Sequence, residues 1–257
     1  MEGLKPLKGQ HHVSAITANA SKNFHFYTKI LGLRLVKKTV NQDETSMYHL
    51  FYADERGNPG TDLTFFEIPQ AGHTYYGTNS ISTTSLRVPM DASLDFWKSR
   101  FDEFGIKYEE VSHATGRATL AFKDFEGQRL ELVSDECNQG VEGGKPWDKS
   151  PVPVEHAIRG LGPVYLTVAE IEKTAKVLKD VLGYRLKSTY VSDEQYEVSV
   201  FETGEGGTGA ELHLVERSDL PKEKPGRGSV HHVAFRVENE EELMKWVQQL
   251  KQLRIPS

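Results

Sequence analysis

The feature that most constrains this chain is a unit that recurs four times: a strand, a helix, a glycine that stops the helix, and a new strand. In the first copy, residues 11–16 read as a strand. Residues 21–31 read as a helix with Phe24, Tyr27, Ile30 and Leu31 on one face. Gly32 stops that helix, because glycine tolerates the left-handed backbone of a helix end. In the last copy, 230–237 is the strand and 240–253 the helix, with Leu243, Trp246, Val247 and Leu250 facing inward. Two copies lie between them. Residues 82–88 and 162–168 are strands, 92–104 and 171–182 are helices, and Gly105 and Gly183 are the stops. The copies start near residues 10, 81, 160 and 229. Their spacing of 69–79 residues is too long for the common solenoid repeats.

Each of the first three copies supplies three more strands: 33–40, 47–52 and 62–68; 106–111, 117–122 and 129–133; 184–191, 196–201 and 210–215. A glycine-containing turn precedes the last strand each time, at Gly60, Gly127 and Gly209. The unit is therefore βαβββ. The expected fold class is α+β, with tandem βαβββ modules forming two half-barrels and the fourth module incomplete. That module stops at Arg254-Ile255-Pro256-Ser257, where its second strand is due. Module arithmetic predicts a longer form with roughly 40 to 50 further residues. A linker with Lys and Pro at 145–153 predicts a division into residues 1–147, holding modules one and two, and 148–257, holding module three and the start of module four.

Composition narrows the function classes. The net charge is −6, with no basic stripe, which argues against a nucleic-acid partner. The single cysteine, Cys137, excludes an internal disulfide and a cysteine metal site, and fits a reducing, cytoplasmic setting. Residues 1–10 lack a signal-peptide core, and no run approaches the roughly 20 apolar residues that span a bilayer. No membrane partner is expected; a homo-oligomer is left open.

Chemistry enters through the histidines. His11-His12-Val13 and His231-His232-Val233 sit on the first strands of modules one and four, 220 residues apart. A lone strand histidine is usually a hydrogen-bonded structural residue. Two pairs at equivalent positions shift the balance towards a shared ligand set. Successive side chains on a strand point to opposite faces, so one member of each pair at most faces the interior. His25, His73 and His113 read as surface residues and His156 as a residue fixing the junction between halves. His49 reads equally as core or pocket.

These pairs, with Tyr48-His49-Leu50-Phe51-Tyr52-Ala53-Asp54, Gly57-Asn58-Pro59-Gly60-Thr61-Asp62-Leu63-Thr64-Phe65-Phe66 and Val152-Pro153-Val154-Glu155-His156-Ala157-Ile158-Arg159-Gly160, resemble the vicinal-oxygen-chelate superfamily. Within it, the chain is most similar to the hydroquinone and catechol ring-cleaving dioxygenases. The resemblance spans essentially the whole chain. It implies that His12 and His232 hold a divalent metal, Fe(II) or alternatively Mn(II). It implies that His11 and His231 meet substrate or act as acid–base groups, and that Ser14 is a polar pocket residue. Strict alternation would turn His11 and His231 away, so that role needs an irregular strand start. The third ligand of the family is a Glu on the last strand of module four, which has no counterpart here.

The implied reaction opens an aromatic diol with O2. Two histidines and a carboxylate on one face of a metal suit non-haem Fe(II) oxygenases. Four residues beyond the turn glycines stand Thr64, Glu131 and His213. Thr64 cannot replace a carboxylate, which weighs against a glyoxalase-type isomerase or lyase. Glu67 is a conceivable substitute ligand. Modules two and three offer Thr83 and Pro163 at the histidine position and read as scaffold. A non-catalytic small-molecule-binding protein is the remaining alternative.

Overall fold

The computed structural model describes residues 3–40 and 47–255; Pro256 and Ser257, at the stop of module four, lie outside them. Module one gives β1 (Gln10–Thr17), α1 (Ala20–His25), β2 (Arg34–Val40), β3 (Tyr48–Ala53) and β4 (Asp62–Glu67). Module two gives β5 (Ser80–Val88), α2 (Ala92–Phe104), β6 (Thr119–Lys123) and β7 (Arg129–Ser134). Module three gives β8 (Leu161–Val168), α3 (Ile171–Asp180), β9 (Arg185–Val191), β10 (Glu197–Glu202) and β11 (Glu211–Glu216). Module four gives β12 (Val230–Phe235) and α4 (Glu240–Gln252). No helix among the described residues is long and apolar enough to cross a membrane.

The strands form two open mixed sheets, in the orders β12-β1-β4-β3-β2 and β6-β7-β5-β8-β11-β10-β9. Modules therefore pair first with last and second with third, through the antiparallel contacts β1–β12 and β5–β8. The sheets do not follow a division at residue 147: each takes strands from both sides of it.

Alternation along the strands explains the layering. Val13 and Ala15 on β1, Leu63 and Phe65 on β4, and Leu50 and Tyr52 on β3 are buried. They share a core with Phe26, Tyr27 and Ile30 of the first helical segment. Their neighbours His12, Ser14, Thr64, Phe66, His49 and Phe51 take the opposite face.

Three local expectations need correction. The first helix holds α-geometry only to His25, then continues as a π-helix over Phe26–Ile30, with Leu31 N donating to Phe26 O at 3.0 Å. The extra residue per turn rotates Phe26 inward and leaves Phe24 exposed. Residues 106–111 do not form a regular strand. They meet β6 through isolated bridges, Tyr108 to Phe122 and Ser112 to Thr119. Four steps on one side match three on the other, so a bulge breaks the ladder. On α4, Leu243 faces out while Glu242 is buried, because Glu242 accepts from Lys5 N at 3.0 Å and from Lys245 Nζ at 2.8 Å. For α2 the expectation holds: it spans Ala92–Phe104, and Gly105 closes it at φ 66°.

Candidate metal centre

The centre lies where β1 meets β12. The register runs Gln10–Phe235, His12–Ala234, Val13–Val233, Ser14–His232, Ala15–Val230. It contains two bulges, one on each strand. His11 is the extra residue on β1, and His231 the extra residue on β12. A bulge places one more residue against a single partner and re-aims its side chain. This supplies the irregular strand start that His11 and His231 require.

The four imidazoles form one row. His12 Nε2 lies 3.0 Å from His232 Nε2. On the outer sides, His11 Nδ1 lies 3.1 Å from His12 Nδ1, and His231 Nδ1 lies 2.8 Å from His232 Nδ1. The rings meet edge to face, with centroids 5.1 to 5.2 Å apart. The structure thus brings all four histidines together. Burial pushes His12 down to about 4, and the neighbouring His232, His11 and His49 push the same way. Burial also lowers His11 and His232. Imidazoles kept neutral with Nε2 atoms converging are a donor set that fits a divalent transition metal. Among the described residues, no group of three or more His, Cys, Asp or Glu completes such a site.

Ser14 is buried rather than open. Its Oγ lies 2.7 Å from Thr64 Oγ1, and Thr64 Oγ1 lies 3.0 Å from His49 Nε2. Thr64 is thus a hydroxyl relay, four residues beyond Gly60. Glu67 is not a substitute ligand. It accepts from Ala20 N at 2.8 Å, at the start of α1, where a carboxylate meets unpaired backbone N–H groups. His49 is half-buried, packed against Phe51 and Phe66. His156 stacks on Phe96 at 4.5 Å, and its backbone oxygen accepts from Trp97 Nε1 at 2.9 Å, which ties the linker to α2.

One acidic residue was not anticipated. Asp62 pairs with His12 across β1 and β4, and burial, then Asp54, pushes its carboxyl up to about 6. Counting back two residues from Thr64 would have placed it on the same face.

The β5–β8 junction repeats the two-bulge design without histidines, and Thr83 pairs with Tyr165 there. Glu131 accepts from Ser85 Oγ at 2.7 Å and Tyr165 OH at 3.1 Å. His213 lies 3.2 Å from Glu211 and 3.1 Å from Tyr190 OH. Burial alone would raise the Glu211 carboxyl, but bonds from His213 and the two-pronged Arg117 contact hold it well below the usual range. These groups satisfy one another.

A model of the Glyoxalase/Bleomycin resistance protein/Dioxygenase superfamily matches residues 9–132 and 160–256. The chain belongs to this superfamily. Among superfamily relatives is a Bacillus subtilis (strain 168) protein named "Putative ring-cleaving dioxygenase MhqA", 54% identical over 240 residues, which are 93% of this chain and 75% of that protein. The "Chlorohydroquinone/hydroquinone 1,2-dioxygenase" of Sphingobium indicum is 30% identical over 239 residues, 90% of this chain and 71% of that protein. A solved structure described as a "putative dioxygenase" from Bacillus subtilis matches with a TM-score of 0.83 and 30% identity, over 97% of this chain and 76% of that one. Glyoxalase I from Zea mays, at 15% identity and a TM-score of 0.67 over 95% of this chain and 80% of that one, shares the fold alone.

Proposed function

We propose that this chain is an Fe(II)-dependent dioxygenase that opens the ring of a hydroquinone or catechol with O2, with Mn(II) as the alternative metal. The observation that carries the reading is the 3.0 Å approach of His12 Nε2 and His232 Nε2, at the seam of two bulged strands. Relatives named as ring-cleaving dioxygenases support it.

His12 and His232 would hold the metal through Nε2. When bound, the metal supplies the meeting point for the diol and O2 and the route by which ring electrons reach O2. The protein's own part is positioning and proton handling. His11 and His231 fix the orientation of the two ligand rings through their Nδ1 atoms, as partners of metal-bound histidines do. His231, the more exposed of the two, would exchange a proton with a substrate hydroxyl. Phe66, with its ring centroid 5.7 Å from His231 and 6.4 Å from His232, gives a flat apolar surface beside the metal position. Ser14 contributes through Thr64 rather than by direct contact.

The test is anaerobic titration of the chain with Fe(II), beside His12→Ala and His232→Ala, followed by oxygen uptake with hydroquinone and catechol. One-to-one binding lost in both variants supports the ligand pair. Binding that the variants leave unchanged would overturn it. A glyoxalase-type reading requires a carboxylate at position 64, where a threonine hydroxyl already serves Ser14 and His49.

A further inference from the structure

His49 stands apart from the row of four histidines yet faces the same space. It is stacked between Phe51, two residues along β3, and Phe66, its register partner on β4. The centroid separations are 4.0 and 4.2 Å, and the interplanar angles 36° and 32°. Two aromatic rings thus pack against the imidazole. Its Nε2 is tethered to Thr64 Oγ1, which is in turn tethered to Ser14 Oγ. Both hydroxyls are buried, so no bulk water competes for these bonds. Nδ1 has no partner among the described residues, and it is not among the fully buried polar atoms left unbonded.

A histidine kept only to fill a core would not need a tether on one nitrogen and an open second nitrogen. The position is also informative. Phe66 lies between His49 and His232, with its centroid 4.2 Å from one ring and 6.4 Å from the other. A flat ring lying on Phe66 with one oxygen at the His12–His232 pair directs its opposite edge towards His49. Through Phe66, His49 is level with Ile16 on β1, two strands away and four residues along β1 from His12, with the side chains of His12, Phe66 and His49 on one face between them.

We propose that His49 Nδ1 hydrogen-bonds the substrate hydroxyl remote from the His12–His232 pair, which makes His49 the residue that selects 1,4-dihydroxy over monohydroxy rings. The inference rests on the ring-cleaving reading. The Ser14–Thr64–His49 chain sets which way the bond runs. If Ser14 and Thr64 donate towards Nε2, Nδ1 carries the proton and donates to the substrate oxygen. If Nε2 donates to Thr64, Nδ1 accepts from the hydroxyl. Either direction rewards a hydroxyl and penalises a ring edge that lacks one, because Nδ1 is then left unpaired.

The experiment is equilibrium binding under anaerobic conditions to the metal-free chain, with hydroquinone and phenol as probes, read by calorimetry. Wild type is expected to bind hydroquinone about tenfold tighter than phenol, the size of one good neutral hydrogen bond. His49→Phe keeps the aromatic stack and removes the nitrogen; it should abolish the preference and leave phenol affinity unchanged. His49→Asn, which places an amide near the Nδ1 position, should restore part of the preference, and it keeps the test decisive if the Phe variant does not fold. An equal hydroquinone-to-phenol ratio in wild type and variants overturns the assignment, as does a wild type without preference. Oxygen uptake by the Fe(II)-loaded chain is measured separately. A chain that prefers hydroquinone through His49 but consumes no O2 would sink the dioxygenase reading and leave the His49 assignment standing.

Discussion

Glu131 shows how burial alone retunes a single carboxyl. It lies on β7, and burial pushes it up to about 7 against the stabilising bonds from Ser85 and Tyr165. In the unfolded chain the same group ionises near 4.5. The folded value is the higher one, so its contribution favours folding below pH 4.5 and is lost as pH rises through 7. Glu131→Gln should therefore be more stable than wild type at pH 8, by up to about 3 kcal/mol, and nearly equal to it near pH 4.5. Denaturant midpoints at the two pH values check this. A difference that does not change with pH would mean the folded carboxyl is already ionised.

Arg87 makes the opposite case. It is almost fully buried, and its Nη2 donates to Asp135 Oδ2 at 2.7 Å and to Val141 O at 2.8 Å. Asp135→Asn leaves the guanidinium buried without its counter-charge and should cost about 3–5 kcal/mol. Chemical unfolding at neutral pH measures that loss directly.

Between residue and fold, glycine positions separate tight from loose element ends. Gly105 closes α2 at φ 66° with open space where a Cβ would stand, so Gly105→Ala should cost about 1 kcal/mol from backbone strain alone. Gly9 precedes β1 at φ 93°, and a Cβ there would stand 2.4 Å from Gly209 O. Gly9→Ala adds that clash to the strain, so its stability loss should exceed that of Gly105→Ala by at least about 1 kcal/mol. On the proposed metal site it should also weaken Fe(II) binding, since β1 carries His12. Melting curves of both variants and Fe(II) titration of Gly9→Ala decide the point. The same elements show what sequence could reveal. A 3.6-residue period and a following glycine were enough for α2. They were not enough at α1, because a π-turn leaves no mark in an apolar period and Phe24 fits a regular helix as well as Phe26 does. Residue type exposed the His-His pairs. The bulges that bring His11 and His231 into the row depend on strand register, which no single strand carries. The Ser14–Thr64–His49 relay was hidden for the same reason, since its three members come from three strands.

For the molecule as a whole, the two sheets share one buried core, in which Tyr27, Phe65, Trp97, Leu132, Leu161 and Leu212 all take part. Polar ties cross between them. Gln10 Nε2 donates to Glu211 O at 2.7 Å, Tyr27 OH to Asp124 Oδ2 at 3.1 Å, and Arg100 Nε to Ile30 O at 2.8 Å. The sheets should therefore unfold in one transition. Fluorescence of the buried Trp97 and Trp246 and far-UV dichroism should trace the same denaturant curve; two separated steps would show independent units.

Pairing the first module with the last also sets a timetable for synthesis. β5 and β8 leave the ribosome within the middle of the chain, and their sheet needs nothing made later than β11. β1 has no such freedom. After β4 is finished, 162 residues lie between Glu67 and Val230, the first residue of its partner. At ordinary translation rates that is roughly 8–30 s during which the β1 edge stands bare. The seven-stranded sheet has all its strands once Glu216 is made, shortly before Val230 opens β12. His12 waits through that whole interval for His232.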